Sequence, residues 1–345
     1  MRMDLLRALA EAAGPPGRED RVRAIVRPEL QETCARVEQD PLGGLAGFRS
    51  GGGGPRLMLA AHMDEIGLMV THVEERGFLR VIPLGGWDPR TLVGQRVLVQ
   101  GREDLLGIVG TTPVHLLDEA ARSRVPKLED LAVDTGLPAE RVRELVRAGD
   151  TVTRTRTLEP LGDLLTGKSL DDRIGLFVML EALRTAGPTR AEVVAAATVQ
   201  EEVGLRGARV AATRIRPQVG LAIDTCPADD GPGTPASGPS TRLGAGAAIR
   251  IMDASAIGSS ALIELLVRIA EDREIPHQFH VSDRGGTDTQ ALQLFGDGAV
   301  AGCVSIPTRY VHSSVEACHP ADIEAAIALV AGLVERVDEL QTADR

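Results

Sequence analysis

The chain has 345 residues, 43% of them hydrophobic, which is enough for a substantial interior and long enough for two domains. Aromatics make up only 2%, with one Trp and one Tyr, so the core must be built from Ala, Val, Leu and Ile, and stacking platforms for single-stranded nucleic acid are nearly absent. A net charge of −11 argues against nucleic acid or an anionic membrane as partner.

In chain order, Leu5, Leu6 and Leu9 set a helical stripe that ends at Gly14-Pro15-Pro16-Gly17. No long apolar run follows the first Arg, so the start reads as an amphipathic helix rather than a signal peptide. No stretch approaches the ~20 apolar residues of a membrane helix. Cys34, Cys226, Cys303 and Cys318 form no CxxC pair and read as buried free thiols of a reducing compartment, so the expected location is cytoplasmic. A second helix is predicted from Glu19 to about Leu30. The run Gly51–Gly54 marks a turn between two strands, the second being Arg56–His62.

From about Gly67 to Leu158 the texture changes. Short strand-like runs (LMVTHV, FLRVIPL, RVLVQ, LGIVG, TVTRTRT) alternate with turns, and Ala139–Arg147 is one of few helical patches. That spacing predicts a small β-barrel or sandwich. Helix–strand alternation then returns: a helix in Asp171–Thr185, a strand at Glu192–Val199, a helix near Leu205–Ile215 and a strand at Gln218–Asp224. Further on come a strand at Ala247–Ile251, a helix in Ser259–Glu271, a strand at Gly298–Ser305 and a helix from Pro320 to about Leu340. The simplest organisation is an α/β domain, residues 1–66 and 159–345, with a β-rich domain, 67–158, inserted in it.

Ligand sites of open α/β sheets lie at the carboxyl ends of strands. Five segments bring His, Asp or Glu to such ends: His62-Met63-Asp64-Glu65, Asp171-Asp172, Glu201-Glu202, Asp224 and His312. Singly, each has an ordinary reading: a solvated helix start for Glu201-Glu202, an N-cap for Asp171-Asp172, a satisfied core histidine for His62, a turn at His312. Jointly they supply two imidazoles and several carboxylates, a donor set suited to zinc, cobalt or manganese. Two divalent ions fit if one carboxylate bridges. One member of the glutamate pair then ligates while the other moves protons. His62 and Asp64, two apart, share a side of the strand, so the Asp64 carboxylate is expected to bond the free ring nitrogen of His62. The remaining histidines (His72, His115, His277, His280, His319) and Asp229-Asp230 keep structural or solvated readings, and Gly285-Gly286-Thr287-Asp288 is a turn that faces substrate in the sharper reading.

The stretches AAHMDEIGLMV, PLGGWDPRTLVGQRV, LTGKSLDDRIG, TVQEEVGLRGA, AIDTCP, GGTDTQA and IPTRYVHSSVE, in this order over nearly the whole chain, resemble metallopeptidase family 42, the tetrahedral (TET) and glutamyl aminopeptidases. The resemblance implies a central mixed sheet flanked by helices with an inserted β-barrel that serves dimerisation. It implies dimers that assemble into a tetrahedral dodecamer. His62 and Asp224 would bind one metal, Glu202 and His312 the other, and Asp171 would bridge both, with a cis peptide bond to Asp172. Zinc comes first for both positions, ahead of cobalt or manganese. Glu201 would act as general base and acid, with Asp64 beside it, as a hydroxide bridging the metals removes the N-terminal residue of a short peptide. Two other functions remain open: an N-acyl amino-acid or N-acetyl-peptide deacylase using the same site, and a non-catalytic scaffold of the same fold. Cys226 would lie near the metals.

Overall fold

The computed structural model describes residues 1–234 and 240–340. Its centre is a mixed sheet of eleven strands. Four run parallel side by side: Glu192–Thr198, Arg56–His62, Val219–Pro227 and Val300–Arg309. Leu45–Arg49 and Arg36–Gln39 extend one edge antiparallel. Glu316–Cys318, Leu164–Gly167 and Glu159–Leu161 extend the other. Ala247–Met252 branches antiparallel from Val300–Arg309 and carries the edge strand His277–Val281.

Helices cover both faces, as parallel strands require. Alternate residues show the division. Leu57, Leu59, Ala61, Val193, Ala195 and Ala197 pack into a large core with the helices Met3–Glu11, Asp20–Thr33, Leu170–Thr185, Ser260–Asp272 and Pro320–Arg336. Met58, Ala60, Val194 and Ala196 face a smaller core against Ala211, Ala212 and Leu292 of the helices Arg206–Ile215 and Thr289–Gln293. Gly207 lets the first of these two helices approach closely, since a Cβ there would stand 2.4 Å from the Val199 carbonyl oxygen.

Six antiparallel strands between Gly67 and Arg154 close into a separate barrel. Its interior is filled by Leu68, Val70, Leu79, Val97, Val99, Val109, Val133 and Val152, capped by Val142 and Leu145 of the helix Ala139–Leu145. Ile82, Leu106 and Ile108 stay exposed on its outer wall. Among the described residues, no helix is long and apolar enough to cross a membrane.

Three elements differ from the sequence expectation. The strand ending at Asp224 continues to Pro227, paired throughout with Val300–Arg309. The segment His277–Val281, for which no element was predicted, is a strand at the sheet edge. Asp230, read as solvated, is half-buried: Arg309 donates to its carboxylate at 2.6 and 2.9 Å, and the Leu243 N–H at 2.9 Å.

Candidate metal centre

The parallel strands deliver the polar residues to one end of the sheet. His62 closes Arg56–His62, Glu201 and Glu202 follow Glu192–Thr198, Asp224 lies near the end of Val219–Pro227, and His312 follows Val300–Arg309. Asp171 enters from the start of the helix Leu170–Thr185. Its dihedrals and those of Asp172 are non-helical, and the peptide bond between them is cis.

Two groups of donor atoms result. One atom each from His62, Asp171 and Asp224 lie within 4.8 Å of one another, and so do one atom each from Asp171, Glu202 and His312. Asp171 belongs to both. Its Oδ1 lies 3.4 Å from His62 Nε2 and its Oδ2 3.3 Å from His312 Nε2, while Glu202 Oε1 is 3.2 Å from His312 Nε2. Glu201 stands outside both groups with its Oε2 3.9 Å from His62 Nε2. Asp171 Oδ1 and Glu202 Oε1 are buried without a hydrogen-bond partner among the described residues.

The electrostatics point the same way. Burial lowers both imidazoles, but the carboxylates around them outweigh it. Asp171 leads in raising His62 well above its usual value, and Asp171 with Glu202 pushes His312 up to about 11. Asp171 is pulled down by His312 and His62 against its burial. Burial raises Asp224, with Asp171 adding to it, to about 8. Burial also holds the Glu201 carboxyl well above the usual range, with His62 opposing and Asp224 and Glu202 adding to it. An acidic cluster this dry calls for positive charge. The orphaned oxygens and the His/carboxylate donor set both fit divalent metal.

The surrounding bonds hold this arrangement. Asp64 is fully buried, and its carboxylate accepts the Glu201 N–H at 3.0 Å and the Glu202 N–H at 3.1 Å. This corrects the expected pairing with the His62 ring: His62 Nδ1 lies 3.0 Å from the Asp64 backbone oxygen and 3.7 Å from its carboxylate. The residue after a strand end turns too sharply for simple alternation to place its side chain. Asp172 accepts the His62 N–H at 3.2 Å and the Gly175 N–H at 3.1 Å, so it also caps the helix.

Behind Asp171 lies a second buried polar group. Glu65 takes Lys168 Nζ at 2.7 and 2.9 Å, Ser169 Oγ at 2.5 Å and the Gly14 N–H at 3.1 Å, with Arg173 at 3.7 Å. Lys168 and Arg173 also donate to the Ala12 carbonyl at the end of the first helix.

The cluster opens into a cavity of about 800 Å³, walled beyond the ligand candidates by Thr225, Arg250, Ser255, His280, Gly285 and Gly286 among others. His280 and Arg250 are therefore cavity residues, which a lone His in an edge strand and an Arg in a short strand did not signal. Asp288 turns inward and accepts from Thr198 Oγ1 at 2.6 Å. Cys226 lies outside both ligand groups, and burial pushes its thiol up to about 12.

An α/β sheet that gathers imidazoles and carboxylates beyond its strand ends, at the mouth of a cavity, has the arrangement expected of a metal-dependent enzyme. The profile of the M42 glutamyl aminopeptidase family matches residues 43–329. The chain is 35% identical to the lysyl aminopeptidase of Pyrococcus furiosus over 352 aligned positions, covering 97% of each chain. Among solved structures, an aminopeptidase of the archaeon Desulfurococcus kamchatkensis superposes with a TM-score of 0.94 at 39% identity, over 99% of this chain and 97% of that one. The TET1 peptidase of Pyrococcus horikoshii, described as assembling into a tetrahedron or a large octahedral shell, gives 0.86 at 34% identity over 96% and 99%. This chain belongs to the M42 family of aminopeptidases and is a peptide hydrolase.

Proposed function

We propose that this chain is a dinuclear-metal aminopeptidase, with His62, Asp171 and Asp224 holding one divalent ion and Asp171, Glu202 and His312 the other. The observation that carries the reading is the pair of three-residue donor groups sharing Asp171, with Glu201 left over beside them. Bound there, divalent ions supply a Lewis acid for the scissile carbonyl and bring the pKa of water from 15.7 toward ~7. Glu201 takes the proton of the attacking water and returns it to the leaving amine. Asp64 keeps Glu201 and Glu202 in place through their backbone N–H groups, and the His62 ring is oriented by the Asp64 carbonyl. The cavity beside the cluster receives the first residue of the peptide.

The four thiols, none paired among the described residues, suit a reducing cytoplasm. The barrel, residues 67–158, serves as a dimerisation domain. The apolar side chains on its wall and the shells formed by the P. horikoshii relative support this reading and further assembly toward a dodecamer.

Metal analysis combined with a panel of aminoacyl-p-nitroanilides and their N-acetylated counterparts tests the function. Two ions per subunit, zinc first and cobalt or manganese as substitutes, and hydrolysis confined to free-amine substrates are expected. Hydrolysis of the N-acetylated series alone would instead identify a deacylase.

A further inference from the structure

We propose that Glu316 is a positioning residue for hydrolysis: its single carboxylate sets the backbone of two ligand candidates from distant parts of the chain. The inference rests on the assignment of Asp171 and His312 as metal ligands. Glu316 is 1% exposed, and its Oε2 accepts the Asp171 N–H at 3.0 Å while its Oε1 accepts the His312 N–H at 2.8 Å.

Both recipients have backbones that regular structure does not hold. His312 sits at φ 64°, in the left-handed region that residues other than glycine rarely adopt. Asp171 has φ −78° and ψ 108° ahead of the first regular helical turn, where an N–H has no intrahelical acceptor. One carboxylate therefore fixes the spacing between the shared ligand and a ligand of the second group. Two other buried carboxylates act in the same manner, Asp64 on Glu201 and Glu202 and Asp172 on His62. Together the three hold the backbone N–H of every ligand candidate except Asp224, and that of Glu201. Glu316 alone of the three joins a loop following one strand to the start of a helix.

The barrel contributes to this device. Arg154, on its last strand, is 1% exposed with its guanidinium 4.7 Å from the Trp87 ring centroid. None of its three guanidinium nitrogens has a hydrogen-bond partner among the described residues, and it is the main positive charge acting on Glu316. Burial nonetheless raises the Glu316 carboxyl to about 7, with Arg154 the leading influence opposing it.

Glu316→Gln keeps the size but sets an NH2 against one of the two N–H groups. Loss of such outer partners weakens metal affinity about 10–100-fold. In a zinc titration against a chromophoric chelator, Glu316→Gln is expected to weaken one of the two ions by that factor, with kcat recovering in excess zinc and KM little changed. Asp322→Asn is the control. Asp322 is a fully buried carboxylate outside the cluster that likewise accepts two backbone N–H groups, of Gly244 at 2.8 Å and Gly246 at 2.7 Å. It should lower Tm without changing either affinity. If Glu316→Gln does not fold, Glu316→Asp, one methylene too short to reach both N–H groups, should show the same metal defect. Wild-type affinity for both ions in the folded Glu316 variant, or an equal loss in Asp322→Asn, overturns the inference alone. A wild-type protein that takes up fewer than two ions overturns the ligand assignment, and this inference with it.

Discussion

Glu65→Gln tests whether the buried polar group behind Asp171 holds the site's framework. The substitution keeps the shape and removes one negative charge. Lys168 Nζ at 2.7 and 2.9 Å and Arg173 at 3.7 Å lose their common counter-charge, and one amide oxygen must serve donors that two carboxylate oxygens now share. All three side chains are buried. Breaking a buried pair from one side costs about 3–5 kcal/mol. The cost is capped because Lys168, already lowered by burial to about 8, can give up its proton. With ~2.1 cal/mol/K of unfolding entropy per residue, a chain of this size has ~0.7 kcal/mol/K, so Tm should fall by ~4–7 °C. The pH dependence has a definite sign. Burial raises the Glu65 carboxyl, but Lys168 and Arg173 hold it down at about 2, below its ordinary 4.5. The stabilisation is therefore complete above pH ~4.5 and disappears as pH falls through about 2. Differential scanning calorimetry should show a gap between wild type and variant that widens from pH 7 toward 5, as Lys168 of the variant is forced to keep its proton, and narrows below 4.5 as Glu65 of the wild type takes up its own. A variant melting within 1 °C of wild type at pH 7 would show that Glu65 does not hold this framework.

Asp64→Asn leaves one acceptor for two N–H groups at Glu201 and Glu202. We expect kcat at saturating metal to fall by about 10–100-fold and stability to drop by about 1–3 kcal/mol, measured by steady-state kinetics and chemical denaturation; unchanged kcat would show that the clamp is idle. On the barrel wall, Leu106→Asp with Ile108→Asp places two charges on side chains that are 59% and 52% exposed. If the barrel forms the proposed dimer contact, the pair should shift sedimentation toward the 36.5 kDa subunit while circular dichroism stays unchanged. An unchanged larger assembly would move the proposed dimer contact elsewhere.

The sheet was legible where burial on both faces left an unbroken apolar run, as in Arg56–His62 and Glu192–Thr198. The edge strand His277–Val281 escaped because its exposed positions carry Phe279 and Val281 and its buried one carries His280, the reverse of the usual alternation. Segments that end at His62, Asp171, Glu202, Asp224 and His312 could be gathered from strand ends alone, since topology sends those ends to one side of the sheet. The bonds that hold them could not. Glu316 lies in a three-residue strand and Lys168 in a turn, and each acts on backbone or charge far away in sequence. Asp64 illustrates the limit: its partner depends on how the chain turns after His62, which periodicity does not encode. Asp230 likewise looked solvated because Arg309, its partner, ends the neighbouring parallel strand, which comes far later in the sequence.

Glu201→Gln separates the proposed proton transfer by Glu201 from the metal binding assigned to Glu202. Metal content and turnover of an aminoacyl-p-nitroanilide should be determined on the same preparation. Two divalent ions per subunit are expected, as in wild type, with kcat reduced by about 10²–10⁴-fold. Full metal occupancy with near-wild-type kcat would contradict this assignment.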